Sequence, residues 1–248
     1  MNAPDYLLNV WKRFDGFPME TLTKVWAKKQ RSVSQMREDQ IHYGITGNCF
    51  DLSIWLLNEF KEEGIKAYPI GHHLHSKHAH AAIIAEDERG RRFLCDLGDQ
   101  WLKPILIDVK DQEYTNEMLG VFFPAADIRV SQVENNLQIE YFRPSGKVSR
   151  QIYDASRVEE SSFCSAAEYS QQTIHPIPLL ECRCPYKNEI AHWEFYGWKS
   201  FLSTTEGLID DPDLHSVQEW TARINKKTGF NTVFLNKVLE IYKNKIFD

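Results

Sequence analysis

The sequence predicts an α+β protein. Three observations carry this: apolar residues recur at helical spacing through the first sixty residues, short strand-like segments separated by turn residues fill the middle, and helical spacing returns near the end. The chain has 248 residues, 42% apolar and 26% charged, the balance of an ordinary folded protein. A chain of this length forms one large domain or two modest ones. Folding buries on the order of 70% of the unfolded surface, so no covalent staple is required.

In chain order, Leu7, Val10, Trp11 and Phe14 fall at i, i+3, i+4 and i+7, and Leu22, Val25 and Trp26 begin a second such stripe. From Phe50 to Phe60 the chain is apolar nearly all round, which predicts a buried helix with Gly64 as its stop. Strands follow at "IKAYPI", "HAAIIA" and "RRFLCDL", then at "IRVSQV", "LQIEYF", "KVSRQIY", "LLECRC" and "HWEFYGW", with "RPSG" as one of the turns. This middle reads as an antiparallel sheet or small barrel. Asp211 and Pro212 are expected to cap and start a helix with the stripe Leu214, Val217, Trp220 and Ile224 and a stop at Gly229. A last helix carries Phe234, Leu235, Val238, Leu239, Ile241 and Tyr242.

Several function classes are disfavoured. A net charge of -6 argues against general nucleic-acid affinity, and the runs "WAKKQR" and "NKK" read as solvated helix faces. No apolar run approaches twenty residues, and Asp5 interrupts a start that lacks the pattern of a secretory signal, so no membrane span is expected and the location is expected to be cytoplasmic. Five cysteines, an odd number without a repeated two-residue spacing, suggest neither a disulfide framework nor a zinc ribbon.

The chemistry is concentrated between residues 45 and 101. "GITGNCFDLSIWLL" sets Cys49 after a glycine-containing turn, in the first turn of the buried helix, where unpaired N–H groups and the helix dipole favour a thiolate. "HAAIIAEDERGRRFLCDL" reads as a hairpin with the loop "EDERG" centred on Glu88. That register sets Ile84 opposite Arg92, Ala82 opposite Leu94 and His80 opposite Asp96, the last two on one face. An aspartate holding one imidazole nitrogen while the other meets a thiol is a nucleophile, base and orienter. Each residue alone has a plainer reading as core or turn chemistry; the combination points to catalysis.

The stretch "GHHLHSKHAH" holds five of the nine histidines. His75, His78 and His80 offer an H-x-x-H-x-H ligand set for zinc. The run lacks the helical HExxH context, and a metal on His80 would quench its service to a thiol. The expectation is no metal, with His80 as the base and His72, His73, His75 and His78 on a solvent-facing loop. Cys95 alternates to the other face and is expected in the core, and Cys182 and Cys184 are expected to pack.

"GNCFDLSIWLLNEFKEEGIKAYPI", then "HAAII", then "FLCDLGDQW" resembles the arylamine N-acetyltransferases, with 31 residues from Cys49 to His80 and 16 from His80 to Asp96. The likeness continues through "EYSQQTIHPIPLLECRC" and "FNTVFLNKVLEIY". It implies a helical part over 1–75 carrying the nucleophile, a strand-rich, barrel-like part over 76–180 carrying histidine and aspartate, and a part over 181–248 whose strands and terminal helices form a lid over the cleft. It also implies Cys49 as acyl-accepting nucleophile, His80 as base and acid and Asp96 as orienter. Acetyl-coenzyme A would be the co-substrate, with no bound cofactor, and a small-molecule arylamine or hydrazine the acceptor.

The family's RGGxCFE and D-V-G-F-G forms are altered here. "ITGNC" lacks the arginine and one glycine, Asp51 replaces a glutamate, and Asp99 stands where an aromatic residue would be. Trp101, after Asp96, is a candidate for the acceptor pocket or for the core. No glycine-rich loop is present to take the nucleotide end of coenzyme A, and the sequence fixes no oligomeric state. Transglutaminase-like domains share the order G-x-C, H-A-apolar, aspartate, so an amide hydrolase or cross-linking enzyme is the alternative. A binding module that keeps the triad without turnover is the third reading.

Overall fold

The computed structural model describes residues 1–134 and 136–244. The first stripe forms α1 (Asp5–Trp11) and a 3-10 turn (Lys12–Phe14), burying Leu7, Val10, Trp11 and Phe14 as expected. The second forms only one turn, α2 (Thr23–Trp26), after a two-residue strand β1 (Met19–Glu20). Next comes α3 (Val33–Tyr43), opened by a reciprocal cap between Ser32 and Gln35 and closed by Gly44 at φ +75°. The buried helix α4 spans Cys49–Glu62 and packs on α1, α3 and the following strands. Its Phe50, Leu52, Leu56 and Phe60 are fully buried, worth about 1.5–3 kcal/mol each.

Among the described residues, every strand pairs antiparallel, in three sheets. The first contains β2 (Ala67–His72), β3 (His80–Glu86), β4 (Arg92–Cys95) and β5 (Ile105–Leu106). The second contains β6 (Leu119–Phe123), β7 (Ala126–Val133), β8 (Asn136–Phe142) and β9 (Val148–Tyr153). After α5 (Glu160–Gln172), the third orders β1 with β10 (Leu179–Tyr186), β11 (Glu189–Tyr196), β12 (Lys199–Thr204) and β13 (Gly207–Asp210). The terminal helices α6 (Val217–Thr228) and α7 (Thr232–Asn244) bury Trp220, Ile224, Phe234 and Leu239 against Trp193 and Phe195 of this sheet. The boundary at 75/76 falls between β2 and β3, which pair with each other.

Two elements depart from the sequence expectation. Helix α5 lies in the stretch read as strand-rich; its buried face is Phe163, Ala166, Ala167, Ser170 and Gln171, too small and polar to give an apolar stripe. Helix α6 starts at Val217 behind a reciprocal Ser216–Glu219 cap rather than at Asp211–Pro212. The Asp211 carboxylate instead accepts from Trp193 Nε1 and Ser200 Oγ, both at 2.7 Å. Among the described residues, no helix is long and apolar enough to cross a membrane.

The β3–β4 register also differs, because the tight turn occupies residues 87–91 rather than 86–90. Asp87 N–H donates to Arg91 O and Gly90 N–H to Asp87 O, both at 2.9 Å, with Gly90 at φ +76°. This is a tight turn followed by a left-handed glycine. The ladder therefore pairs Glu86 with Arg92, Ile84 with Leu94 and Ile83 with Cys95. The slip is two residues, so every side chain keeps its face. Continued past β4, the ladder sets Asp96 opposite Ala82, so Asp96 lies diagonal to His80 rather than directly across from it.

Gly90 tests this turn. Nothing lies within 4 Å of a Cβ added there, so Gly90→Ala carries only the backbone cost of the left-handed region, about 1 kcal/mol. Denaturant unfolding should show that loss with no change in slope; an unchanged midpoint would contradict the turn.

Candidate active site

The turn before α4 is held by side chains from distant parts of the chain. Asn48 caps the helix, its Oδ1 accepting from Phe50 N–H (2.9 Å) and Asp51 N–H (3.3 Å), while Asp51 Oδ2 accepts from Asn48 N–H (3.2 Å). The fully buried Asp51 carboxylate is also met by Gln30 Nε2 (2.6 Å) and Arg31 Nη2 (3.1 Å). Arg31 donates in addition to Thr46 O (2.8 Å) and Asp39 (3.0 Å). Arg31, from the run read as a solvated face, is instead buried and brings its guanidinium to this turn. Gly47, at φ +125°, is obligatory: a Cβ there would lie 2.2 Å from Asp51 Oδ2 and 2.5 Å from Arg31 Nη2.

Around this frame sit two more titratable groups, the buried Glu20 and the half-buried Lys24. Glu20, whose N–H donates to Gly47 O (2.9 Å), has its carboxyl pushed up to about 7 by burial, against the pull of Arg31. Lys24 donates to Ser170 Oγ (3.1 Å). Burial lowers its pKa, opposed by the nearby charges of Cys49, Asp51 and Glu20.

His80 and Asp96 are hydrogen-bonded, Nε2 to Oδ2, at 2.7 Å. Burial alone would lower the His80 pKa. The charges of Asp96 and Asp99, with the hydrogen bond to Asp96 and the neighbouring Cys49 thiol, carry it well above its ordinary value. Burial alone would raise Asp96; the His80 charge and hydrogen bonds from His80, Asp99 N–H and Tyr153 bring it below its ordinary value. With Nε2 on Asp96, the imidazole leaves Nδ1 for the Cys49 thiol.

Gly98 shows how closely the three side chains converge. A Cβ built on it would lie 2.6 Å from Cys49 Cβ, 3.0 Å from His80 Cε1 and 3.3 Å from Asp96 Oδ1. Tyr153, at the end of β9, reaches in to donate to Asp96 Oδ2 (2.8 Å), and Tyr141 donates to Asp99 Oδ2 (3.2 Å). Burial, then the Asp96 charge, pushes Asp99 up to about 6. Neither tyrosine carries a local sequence signal, since both are alternate residues of ordinary strands.

The remaining candidates sort as follows. His72 pairs with His80 across β2 and β3, its ring 5.5 Å away, whereas His73, His75 and His78 are exposed and His75 meets Ser165 Oγ at 3.0 Å. Among the described residues, the one group of metal-competent side chains in mutual reach is His80, Asp96 and Asp99, within 4.8 Å; it does not include His75 or His78. Trp101 is fully buried, stacked edge-on against Phe123 and Tyr141. It stands behind these two residues, which line a cavity of about 530 Å³ between the second and third sheets. Cys95 is buried and its thiol pushed up by burial, and burial pushes Cys182 up to about 12; Cys49 and Cys184 are half-exposed and Cys164 is exposed, with Cys49 at the start of α4.

No protein-family model and no curated protein matches this chain. Its structure is similar to solved arylamine N-acetyltransferases. The Mycobacterium marinum enzyme in complex with CoA gives a TM-score of 0.76 at 10% identity, over 99% of this chain and 94% of that one. The Salmonella typhimurium enzyme gives 0.70 at 12%, over 97% and 93%. An enzyme from Bacillus cereus, described as having a unique Cys-His-Glu catalytic triad, gives 0.66 at 15%, over 93% and 92%. At these identities the likeness establishes the fold.

The crowding at Gly98 yields a sharp expectation. Gly98→Ala should displace Cys49 or His80 by several tenths of an ångström and lower any Cys49-dependent rate by about 100-fold, since small misplacements of reacting groups are that costly. Iodoacetamide labelling of Cys49 in the folded variant checks this; an unchanged labelling rate would place the three side chains farther apart.

Proposed function

We propose that this protein is a cysteine-dependent acyltransferase that moves an acetyl group from acetyl-coenzyme A to an arylamine or hydrazine-type nitrogen of a small molecule. The observation that carries this reading is the convergence of Cys49, His80 and Asp96 around Gly98, with His80 hydrogen-bonded to Asp96. The fold shared with N-acetyltransferases, one of them holding CoA, supports the choice of donor. Five free thiols suit a reducing, cytoplasmic setting.

In the first half-reaction the Cys49 thiolate, paired with the His80 imidazolium, attacks the thioester carbonyl. The tetrahedral intermediate collapses with cleavage of the donor C–S bond, and His80 gives its proton to the departing coenzyme A thiolate. In the second, the amine nitrogen attacks the Cys49 thioester, the enzyme C–S bond breaks, and His80 takes the proton the nitrogen sheds. Asp96 holds the imidazole in orientation and stabilises its charge throughout. The N–H groups of Phe50 and Asp51 are engaged by Asn48, which leaves Cys49's own N–H as the donor at the helix start for the oxyanion.

Acetyl-coenzyme A without acceptor should raise the intact mass by one acetyl group, on Cys49. Adding an arylamine or hydrazine should discharge it. Cys49→Ala should abolish the adduct with little change in melting temperature, and Asp96→Asn should slow its formation by roughly two to four orders of magnitude while the fold survives. No adduct with any acyl thioester, together with rapid alkylation of Cys49, would contradict the proposal and favour an amide-processing enzyme.

A further inference from the structure

The cavity beside the triad has an unusual charge arrangement. On the face of β10 and β11 that packs on the terminal helices stand Leu180, Cys182, Trp193 and Phe195. The opposite face carries Glu181, His192 and Glu194, all half-buried and all lining the cavity of about 530 Å³. Glu181 and Glu194 are direct cross-strand partners. Directly opposed like charges destabilise a sheet, so this pair works against the fold unless a positive group is placed between or above it.

Asp99 lines the same cavity and joins it to the triad, one carboxylate oxygen lying within 4.8 Å of a ring nitrogen of His80. Three carboxylates thus face one internal cationic candidate, His192. Its Nε2 is buried without a hydrogen bond, 3.7 Å from Glu181 Oε2. Of the cavity's other basic residues, Lys147 and Arg150 are exposed and Arg150 is paired with Glu140; the half-buried Arg143 donates to Ser149 Oγ and its charge reaches Glu194.

Resting on the transferase reading above, we infer that the acceptor carries a second, positively charged group, seated among Asp99, Glu181 and Glu194, which presents its uncharged amine to the acyl group on Cys49. Asp99 and Glu194 are displaced upward, each by burial first and then by a neighbouring carboxylate, although His80 pulls the first down and His192 and Arg143 the second, which agrees with negative charge beyond what these cations offset. A bound ammonium would relieve it, and a charged pair shielded from water discriminates far better than one at the surface.

Three arylamines of similar size test this: para-(aminomethyl)aniline, para-ethylaniline and para-aminobenzoate, whose aromatic amino groups are all uncharged at neutral pH. Acetyl transfer from preacylated protein should favour the first over the second by about tenfold in kcat/KM, with the carboxylate least. Glu181→Gln and Glu194→Gln should each reduce that preference several-fold. Both variants should melt at or above the wild-type temperature, because each removes an opposed like charge. Normal acylation of Cys49 with equal use of the cationic and neutral amines, or with preference for the carboxylate, overturns the inference and leaves the transferase reading standing. If Cys49 does not acylate, that reading fails. The charge preference is then read from thermal stabilisation by the same three amines, where absence of a cation preference overturns it too.

Discussion

The partly buried hydrogen bond between His80 and Asp96 is the interaction around which the rest of the site is arranged. A charged pair removed from water is held only if its geometry is good and its remaining lone pairs are occupied. Asp96 meets this condition with Asp99 N–H and Tyr153 as further donors. The signs of the two shifts fix the pH window of the pair. His80 is raised in the folded state, so its contribution to stability is complete below about pH 6.5 and is lost as pH rises through the raised value. Asp96 is lowered, so its contribution is present above about pH 3.8 and is lost as pH falls through its folded value. The pair is stabilising between these limits.

A second constraint lies under the nucleophile. Asp51 is fully buried, and its compensation comes from Gln30 and Arg31, about twenty residues upstream. Asn48, its capping partner, is held in turn by Gln171 of α5 at 3.2 Å. Stripping one partner from such a buried charge costs on the order of 3–5 kcal/mol, so the position of Cys49 is tied to the folding of the whole helical part.

Much of this was legible from the residues alone. Alternation on strands is insensitive to a two-residue slip, so His80 and Asp96 share a face whether the turn is centred on Glu88, as the sequence predicts, or on Arg89, as observed. Helix α4 announces itself through Phe50, Leu52, Leu56 and Phe60, and Gly64 and Gly229 end helices at φ +69° and +76°. What was not legible shares one cause: contacts between residues far apart in sequence. Arg31 looked like one cation in a basic run, and Tyr153 like an ordinary strand residue. Helix α5 buries alanines and polar side chains that produce no periodic signal, yet it covers Phe50 and Ala81 beside Cys49. The pairing of Glu181 with Glu194 is visible only once β10 and β11 are in register.

The central claim is that Asp96 keeps His80 charged at neutral pH. Nitrogen-15 NMR of the histidine side chains tests it most directly, with His80 assigned by substitution and its shifts followed from pH 5 to 10. The account predicts imidazolium shifts that persist well above pH 6.5 in the wild type, and titration close to or below that value in Asp96→Asn. A wild-type His80 that titrates near pH 6.5, unaffected by the Asp96 substitution, would contradict it.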